Sequence, residues 1–453
     1  MALIELDLTA QPDQTLTPPP PAHRYRVPGL LVVFVLVLAA GGAAPVLPVL
    51  WRYLGAVPAP GGPEAPFQLT GGRVYTVAAA GTERVTTAWD LTGSPRKLWT
   101  VTFPARLSGP DEISWGTVDA EQAGDVVIFA DGPDTTVVDA GTGRIRWSSP
   151  VAVTPLPGGR VGVVQEHDFR ADTVYDQASG EPGMLYFSAT GEPHTEPPLR
   201  THVRGVDLSN GRVRWTLTVA GSVNLTVPPG DEPAALLLSS DRLSRIDGET
   251  GRVVRSTPLS RDKGRAPASG EMVDGLMMVY YGHRGVVSEE VAYSTATLQR
   301  RWSRPVPEMM LDPANCTGMH CSGGRQALDV LDPGSGEVRW RAPTDVDLTK
   351  YGGYVVEVGI ESGLPVRLVD PGTGVTRVDL TGWRAEVVGE AGQPIVLRRS
   401  LDAGASAFGV VVPDRDTIQP LGVTGGPVSD CTSDARHVVC RTDGGLRIWA
   451  YRA

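Results

Sequence analysis

A unit of eleven residues recurs along this chain at intervals close to forty residues or their multiples. It has an apolar pair, an aspartate, two variable residues, a serine, threonine or asparagine, a glycine, and a short run that ends in tryptophan. Clear copies are VVDAGTGRIRW, GVDLSNGRVRW, RIDGETGRVVR, VLDPGSGEVRW and LVDPGTGVTRV, at residues 137–147, 205–215, 245–255, 330–340 and 368–378. Weaker copies lie at 89–99, 293–302 and 412–417. A fixed period of this length predicts a repeat architecture rather than a chain of unrelated domains.

The aspartates of the clear copies are 68, 40, 85 and 38 residues apart. The interval of 85 is two periods, because the weak copy at 293–302 lies in its middle. The interval of 68 is one period of 40 plus an insertion of about 28 residues, which falls in the third repeat. The five aspartates are Asp139, Asp207, Asp247, Asp332 and Asp370.

Each unit has the chemistry of a strand, a tight turn and a second strand. An aspartate that enters a turn accepts hydrogen bonds from backbone N–H groups two residues further on, and a glycine supplies the positive φ that other residues resist. We therefore interpret both positions as structural rather than catalytic. The turn glycines are Gly143, Gly211, Gly251, Gly336 and Gly374.

Further β-type runs precede the units, such as DVVIFA at 125–130 and YVVEV at 354–358. Each period then holds about four short strands, which is one blade of an all-β propeller. The tryptophans end the outer strands, where we expect each ring to pack between adjacent blades; stacking on a ligand is the alternative. They are Trp99, Trp147, Trp215, Trp302 and Trp340.

The chain divides on this basis into nine segments, the last of which lacks an outer strand. The segments are 66–103, 113–149, 151–218, 221–257, 268–304, 308–341, 346–380, 384–421 and 427–453.

The unit LDxxTGxxxW at this spacing resembles the PQQ-type (pyrroloquinoline-quinone-like) β-propeller repeat, over about residues 65–453. Proteins with this repeat include calcium-dependent quinoprotein alcohol dehydrogenases, a scaffold lipoprotein of outer-membrane protein assembly, and membrane-tethered propellers. The resemblance implies a closed ring of seven or eight blades. We predict eight, with seven as the alternative and one segment incomplete or shared between the two ends. Three lysines among 41 basic residues resemble the usage of actinobacterial proteins.

Residues 29–50 contain no charge, and 22 residues in a helix would reach about 33 Å, enough to cross a bilayer. We predict a cytoplasmic disordered tail at 1–28, a transmembrane helix at 29–51, a Pro/Gly linker at 52–65 and an extracytoplasmic propeller at 66–453. Arg24 and Arg26 before the run, against Arg52 after it, favour this orientation. A secretory signal cleaved near Ala43 and Ala44 is the alternative.

Four cysteines form two close pairs, Cys316 with Cys321 and Cys431 with Cys440. Each pair lies where the innermost strand of its repeat would turn into the next, just upstream of ALDVLDPGSG and LRIWAY respectively, so we predict one hairpin disulfide in each, formed in an oxidising compartment. Zinc bound with the nearby His320 and His437 is the alternative, although neither pair has the CxxC spacing of zinc knuckles.

Enzymatic function has little support in the sequence. The quinoprotein enzymes share a vicinal Cys-Cys disulfide and a Glu, Asn and Asp set for calcium, and the chain has no adjacent cysteines. No phosphate-binding loop or GxSxG motif is present. We predict no catalytic residue, cofactor or metal. A net charge of −10 would repel the phosphate backbone of a nucleic acid, so we predict no nucleic-acid partner.

The insertion in the third repeat is the predicted contact region, at 165–203, because long loops on a rigid scaffold commonly carry binding specificity. A metal site or a merely solvated loop are the alternatives for its acidic and histidine side chains. We predict a binding or scaffolding module for a protein or glycan of the cell envelope; a sensor domain for an envelope ligand and a PQQ-dependent dehydrogenase are the alternatives. The candidate residues are His167, Asp168, Asp172, Asp176 and His194.

Overall fold

The computed structural model describes residues 51–452, apart from short internal gaps. The gaps are residues 64, 107–117, 171–185, 188–192, 195–196, 261–264, 284–285, 311–315, 325–326, 344, 386–393 and 412–414. The predicted tail and transmembrane segment at 1–50 lie outside the described residues. Within the described part of the chain, no helix is long and apolar enough to cross a membrane.

The described residues form nine blades, a β-propeller of antiparallel sheets. The chain enters with β1 (Trp51–Val57), and the strands of blades 1 to 4 follow in order. Blade 1 contains β2 (Phe67–Thr70), β3 (Arg73–Ala80), β4 (Glu83–Asp90) and β5 (Arg96–Pro104). Blade 2 contains β6 (Val118–Ala123), β7 (Val126–Asp131), β8 (Asp134–Asp139) and β9 (Ile145–Ser149). Blade 3 contains β10 (Val153–Pro155), β11 (Val161–Asp168), β14 (Arg200–Asp207) and β15 (Val213–Ala220), with β12 (Tyr186–Phe187) and β13 (Pro193–His194) as a separate ribbon in its insertion. Blade 4 contains β16 (Asn224–Thr226), β17 (Ala234–Leu238), β18 (Arg242–Asp247) and β19 (Val253–Pro258).

The remaining strands build blades 5 to 9. Blade 5 contains β20 (Ala266–Val273), β21 (Leu276–His283), β22 (Val286–Ser294) and β23 (Arg300–Met310). Blade 6 contains β25 (Cys321–Gly324), β26 (Ala327–Leu331) and β27 (Val338–Ala342), and it follows β24 (Cys316–Thr317). Blade 7 contains β28 (Val346–Tyr351), β29 (Tyr354–Gly359), β30 (Pro365–Val369) and β31 (Thr376–Asp379). Blade 8 contains β32 (Arg384–Ala385), β33 (Ile395–Ser400), a 3₁₀ turn (Asp402–Gly404), β34 (Ser406–Val411) and β35 (Ile418–Val423). Blade 9 contains β36 (Ser429–Ser433), β37 (His437–Thr442) and β38 (Gly445–Tyr451).

Within a regular blade the strands pair in chain order, so the first strand lies at one edge and the fourth at the other. First strands of successive blades contact one another: Gln68 Nε2 on β2 donates to the carbonyl of Val118 on β6 at 3.1 Å. Asn224 Nδ2 on β16 donates to the carbonyl of Gly270 on β20 at 3.1 Å. The first strands therefore lie innermost, and the fourth strands form the outer edges.

The ring is closed by the strand that the sequence analysis assigned to the linker. Strand β1 pairs antiparallel with β38 and takes the fourth position of blade 9, with Trp51 opposite Tyr451 and Val57 opposite Leu446. The predicted linker at 52–65 and the helix end at Trp51 are therefore wrong for residues 51–57. The prediction of eight blades, with seven as the alternative, is also wrong. The segment at 427–453 is a full blade whose fourth strand comes from the other end of the propeller.

Blade 6 departs from the four-stranded pattern that was predicted for 308–341. Its sheet has three strands among the described residues, because β24 pairs in parallel with β28 of blade 7. Lys350 on β28 forms an ion pair with Asp274 in the β20–β21 turn of blade 5. Blades 5 and 7 thus make contact past the shortened inner part of blade 6.

The cores lie between blades rather than within one of them. Tyr75, Trp99 and Phe103 of blade 1 pack on Phe129 and Val138 of blade 2 in one buried cluster. Leu54 and Val57 of β1 join Val439 and Ile448 of blade 9 and Val74 of blade 1 in the cluster at the closure. Apolar contacts across the blade junctions thus hold the sheets side by side.

Candidate functional site

The repeat aspartates close their own turns. In blade 2, Asp139 Oδ1 accepts hydrogen bonds from the backbone N–H groups of Gly141 and Thr142, at 3.1 and 2.8 Å, and from the Thr142 hydroxyl at 2.8 Å. Asp139 Oδ2 accepts from Arg146 Nη2 at 2.6 Å. Gly143 has φ of 71°, and its N–H donates to the Asp139 carbonyl at 2.8 Å. Both carboxylate oxygens are engaged, so this residue is placed for turn formation and not for catalysis.

The other four repeat aspartates have the same turn. Each N–H of the turn glycine donates to the carbonyl of its aspartate at 2.7 to 2.8 Å. Hydrogen bonds from neighbouring side chains hold the pKa of each aspartate below its usual value. The first donor in each case is Arg146 for Asp139, Ser209 for Asp207, Thr250 for Asp247, Arg339 for Asp332 and Thr373 for Asp370.

These turns predict a loss of stability in acid. A carboxyl whose pKa is lower in the folded state adds stability that is present above its unfolded pKa, about 3.9, and is lost as the pH falls toward the folded value. We expect the Tm to fall steadily from pH 5 to pH 3, measured by calorimetry. In D139N the amide oxygen still closes the turn but the charge is gone, so stability at pH 7 should drop by about 0.2–1 kcal/mol, the range for an exposed pair.

The acid slope of D139N is the informative quantity. It should be shallower than that of the parent, whereas D443N, at an exposed aspartate outside the repeat turns, should leave the slope unchanged. Equal slopes in D139N and the parent would contradict the role given to the turn carboxylates.

Each repeat tryptophan packs on the turn of the following blade. The Trp215 indole N–H of blade 3 donates to the Gly248 carbonyl of blade 4 at 2.8 Å. The Trp215 ring lies against Gly251, where an added Cβ would stand 2.5 Å from it. The other four pairs repeat both contacts: Trp99 with Ala140 and Gly143, Trp147 with Leu208 and Gly211, Trp302 with Pro333 and Gly336, and Trp340 with Pro371 and Gly374.

The junction between blades 4 and 5 has other residues at the positions of the tryptophan and the turn glycine. Arg255 stands where the repeat has tryptophan, and Leu298 stands where it has the turn glycine. Leu298 has φ of 55° and is buried in the junction core. Arg245 Nη1 donates to the Thr295 carbonyl at 2.9 Å, the position that the indole N–H reaches elsewhere. Leu298 thus lies in the junction core at the position where the other turns have a glycine that faces a tryptophan.

The cysteines form the two predicted disulfides, Cys316–Cys321 and Cys431–Cys440. With their sulfurs bonded to each other they are not available as zinc thiolates, so the zinc alternative is wrong. The buried His320 lies between blades 5 and 6, with Nε2 3.4 Å from Glu290 Oε2. His437 Nδ1 lies 3.1 Å from both carboxylate oxygens of Asp434.

The disulfide in blade 9 joins the first two strands of the blade that closes the ring. Replacing both cysteines, C431S/C440S, should cost about 2–3 kcal/mol on the chain-entropy estimate for a short loop. The protein should stay folded, with a lower midpoint in denaturant titrations of the oxidised chain. Because the parent under reducing conditions loses both disulfides, its midpoint should fall further than that of the double variant. An unchanged midpoint in the double variant would contradict a stabilising role for this bond.

The long insertion leaves blade 3 between β11 and β14. Both strands have eight residues and pair along their whole length, from Val161 opposite Asp207 to Asp168 opposite Arg200. Val163 and Val203 are buried against blade 4, while the strand ends nearest the insertion carry polar side chains. We call residues 165–168 and 200–204, with the insertion between them, the blade-3 hairpin.

Asp168 is the centre of a polar cluster on this hairpin. Its Oδ2 accepts from Arg200 Nε at 2.5 Å and lies 3.0 Å from His202 Nε2. His202 Nδ1 lies 3.0 Å from the hydroxyl of Thr218 on β15. Hydrogen bonds from Arg200 first, and then from His202, lower the pKa of the Asp168 carboxyl.

A second ion pair extends the cluster, because Arg204 Nη1 donates to Glu166 Oε1 at 2.9 Å.

Thr218, His202 and Asp168 place a hydroxyl, an imidazole and a carboxylate in line, which are the parts of a nucleophilic triad. Here the three residues are cross-strand neighbours on an open strand surface, and Thr218 is exposed. The arrangement can present charge and hydrogen-bonding groups to a partner.

His167 points to the other face of its strand, where Nδ1 lies 3.0 Å from the Thr201 hydroxyl and burial lowers its pKa. His167 and Asp168 are therefore neighbours in sequence but not in space. Asp172 and Asp176 lie outside the described residues, and His194 is placed only as part of β13. In the part of the chain that the structure describes, no three metal-ligating side chains come together.

Arg200, His202 and Arg204 supply the basic half of the cluster, and none of the three was among the candidate residues predicted from the sequence. A signal was present: Glu166 and Asp168 alternate on one strand, and the three basic residues alternate on the next. Antiparallel pairing brings such alternating charges together on one face.

A cavity of about 450 Å³ lies where the chain crosses from blade 9 to blade 1. Gly62 and Pro63 line one side of it, and Pro427 and Val428 line the other. Arg441 also lines it, but its guanidinium donates to the carbonyls of Gly62 and Ala65 at 2.9 and 2.5 Å and to Asp430 at 3.0 Å. The arginine therefore fixes the crossing segment, with donors from all three of its guanidinium nitrogens.

These features define the fold as a β-propeller. Comparison with known proteins does not assign the chain to a family. No protein-family pattern and no curated protein sequence matches the chain. Among solved structures it is similar to BamB from Moraxella catarrhalis, at 11% identity and a TM-score of 0.39 over 89% of this chain and 98% of that one. It is also similar to the computationally designed Ika8 protein, at 15% identity and a TM-score of 0.42 over 76% of this chain and 98% of that one. A eukaryotic initiation factor is similar at 10% identity and a TM-score of 0.40, over 83% of this chain and 94% of that one. At these values no function is transferred from any of them.

Proposed function

We propose that this protein is a membrane-anchored, extracytoplasmic propeller of the PQQ-like repeat class that binds or scaffolds envelope components. The observation that carries the proposal is the blade-3 hairpin. Its two strand ends pair from Gln165 opposite Val203 to Asp168 opposite Arg200, ion pairs preorganise their charges, and residues 169–199 connect them in the chain. Rigid scaffolds with one elaborated loop commonly place recognition there.

Two observations support the compartment. Two disulfides persist in oxidising surroundings and are rare in a reducing cytosol. The uncharged run at 29–50 is long enough to hold the chain in a membrane, with the propeller following it directly. The lysine-poor composition supports an actinobacterial origin.

The hairpin suits a protein or glycan partner. Its carboxylates and basic groups are already paired, so they present oriented donors and acceptors rather than one strong charge. Surfaces of this kind recognise by hydrogen bonding and shape. The overall charge of −10 argues against nucleic acid, and the proposal includes no catalytic step, cofactor or metal.

Site-specific photo-crosslinking in native membranes tests the proposal. A crosslinking residue placed in turn at several positions of 169–199 should give one recurring adduct. The same residue at Ile360 or Leu364, exposed on blade 7, serves as the matched control and should not give it. Loss of the adduct when residues 169–199 are replaced by a two-residue turn would complete the support. An adduct pattern equal on blades 3 and 7, or none on blade 3, would overturn the proposed site.

A further inference from the structure

The turns between third and fourth strands all lie on one face of the propeller. The strand order repeats from blade to blade, so equivalent turns point the same way. Successive turns are also neighbours, because the turn of blade 3 packs on Trp147 of blade 2 and the turn of blade 4 packs on Trp215 of blade 3. We call this the turn face. The blade-3 insertion joins a second strand to a third and therefore leaves from the opposite face.

Three successive blades carry the same exposed pair on the turn face. Directly after the turn glycine, blade 2 has Arg144 and Ile145, blade 3 has Arg212 and Val213, and blade 4 has Arg252 and Val253. The apolar members are 39%, 53% and 48% exposed, in that order. This set of six residues is the basic row.

The arginines of the basic row are exposed. In the regions that the structure describes, none of their side chains has a hydrogen bond or an ion pair, unlike Arg146 and Arg214 two residues further on. The arginine after the turn glycine is also not a constant residue of the repeat. The equivalent first positions in blades 5, 6 and 7 are Gln299, Glu337 and Val375.

The chain enters the propeller on this same face. In blade 9 the third strand, β38, ends at Tyr451 on the turn face, and Trp51 pairs with Tyr451. Trp51 is the first described residue, and the uncharged run at 29–50 directly precedes it. Trp51 therefore lies on the face that carries the basic row.

From these placements we propose that the basic row binds the anionic lipid headgroups of the membrane in which the preceding run is anchored. Three guanidinium groups on one face complement lipid phosphates, and the exposed Ile and Val side chains next to them suit the headgroup boundary. The blade-3 hairpin then points away from the membrane, toward partners. The inference rests on the anchoring part of the proposed function and is independent of the hairpin's role.

The test uses the full-length protein in nanodiscs, with hydrogen–deuterium exchange as the readout. In discs containing anionic lipid, exchange at residues 141–146, 209–214 and 249–254 should be several-fold slower than in zwitterionic discs. The protection should disappear in about 0.5 M salt, because charge attraction is screened there. It should also disappear in R144Q/R212Q/R252Q, since each arginine near an anionic surface contributes roughly five-fold in binding.

The matched control is R242Q/R384Q/R399Q, which removes the same charge from exposed arginines at the opposite face, on blades 4 and 8, and should keep the protection. Equal exchange in both kinds of disc would overturn the inference. Protection that appears in native membranes but not in anionic discs would assign the row to an acidic macromolecule and overturn it as well. If the chain does not insert into discs, the predicted membrane anchor is wrong. The protein without a membrane would then be mixed with anionic vesicles, and a lack of binding that depends on Arg144, Arg212 and Arg252 would overturn the inference as well.

Discussion

A chain that begins at Pro58 should fail to form a stable propeller, whereas a chain that begins at Trp51 should fold. Strand β1 supplies the fourth strand of blade 9 and the buried side chains of Leu54 and Val57 at the closure. The Trp51 ring also stacks on Phe408 and Trp449, with centroids 5.0 and 5.5 Å apart. Losing a core side chain of this kind costs about 2–5 kcal/mol, and several together reach the whole stability of an ordinary protein.

Point variants keep this prediction testable if the shorter chain is not obtained. L54D places a charge in the closure core and should lower the Tm by more than 10 °C or abolish folding. Y53D, at the exposed neighbouring residue of the same strand, should change it little. Size-exclusion chromatography, circular dichroism and calorimetry would measure both. Equal stability of L54D and Y53D, or a fully stable chain from Pro58, would show that β1 does not close the ring.

The second large effect is expected where a tryptophan meets the next turn. W215A should destabilise by about 3–5 kcal/mol, because it removes a buried ring and its hydrogen bond to Gly248. G251L should also destabilise, since its Cβ would stand 2.5 Å from the Trp215 ring, at a φ of 70° that leucine adopts at a cost.

The double variant W215A/G251L is the discriminating protein. At the junction of blades 4 and 5, Leu298 already occupies a turn that has no tryptophan against it. A leucine at 251 should likewise fill the space that W215A leaves, so the double variant should be more stable than the sum of the single effects predicts, by at least about 1 kcal/mol. Equilibrium denaturation of the four proteins measures this. Additive effects would contradict the view that ring and turn compete for one space.

Much of the architecture could be predicted because the repeat signals it locally. The segment predicted at 113–149 is occupied by strands from Val118 to Ser149, and the one at 221–257 by strands from Asn224 to Pro258. The turn residues and the tryptophan mark each blade within a dozen positions of the chain. The cysteine pairs are equally local, since both partners lie on adjacent strands or turns.

The missed features all depend on pairing between distant residues. Strand β1 carries no repeat signature, and its Trp51 and Tyr53 also suit a membrane interface, so its pairing with β38 was not visible in the local sequence. The transfer of β24 to blade 7 depends likewise on a contact with β28. The Asp168 cluster needed the register between β11 and β14, which the insertion between them separates in the chain.

The most direct test of an anchored extracytoplasmic propeller is the intact mass of the protein extracted from native membranes. We expect an uncleaved chain with a mass four hydrogens below that of the reduced form, two for each disulfide. A chain cleaved near Ala43 and Ala44 would show a secretory signal instead of an anchor. Free thiols on all four cysteines would contradict the oxidising compartment, and with it the extracytoplasmic binding role.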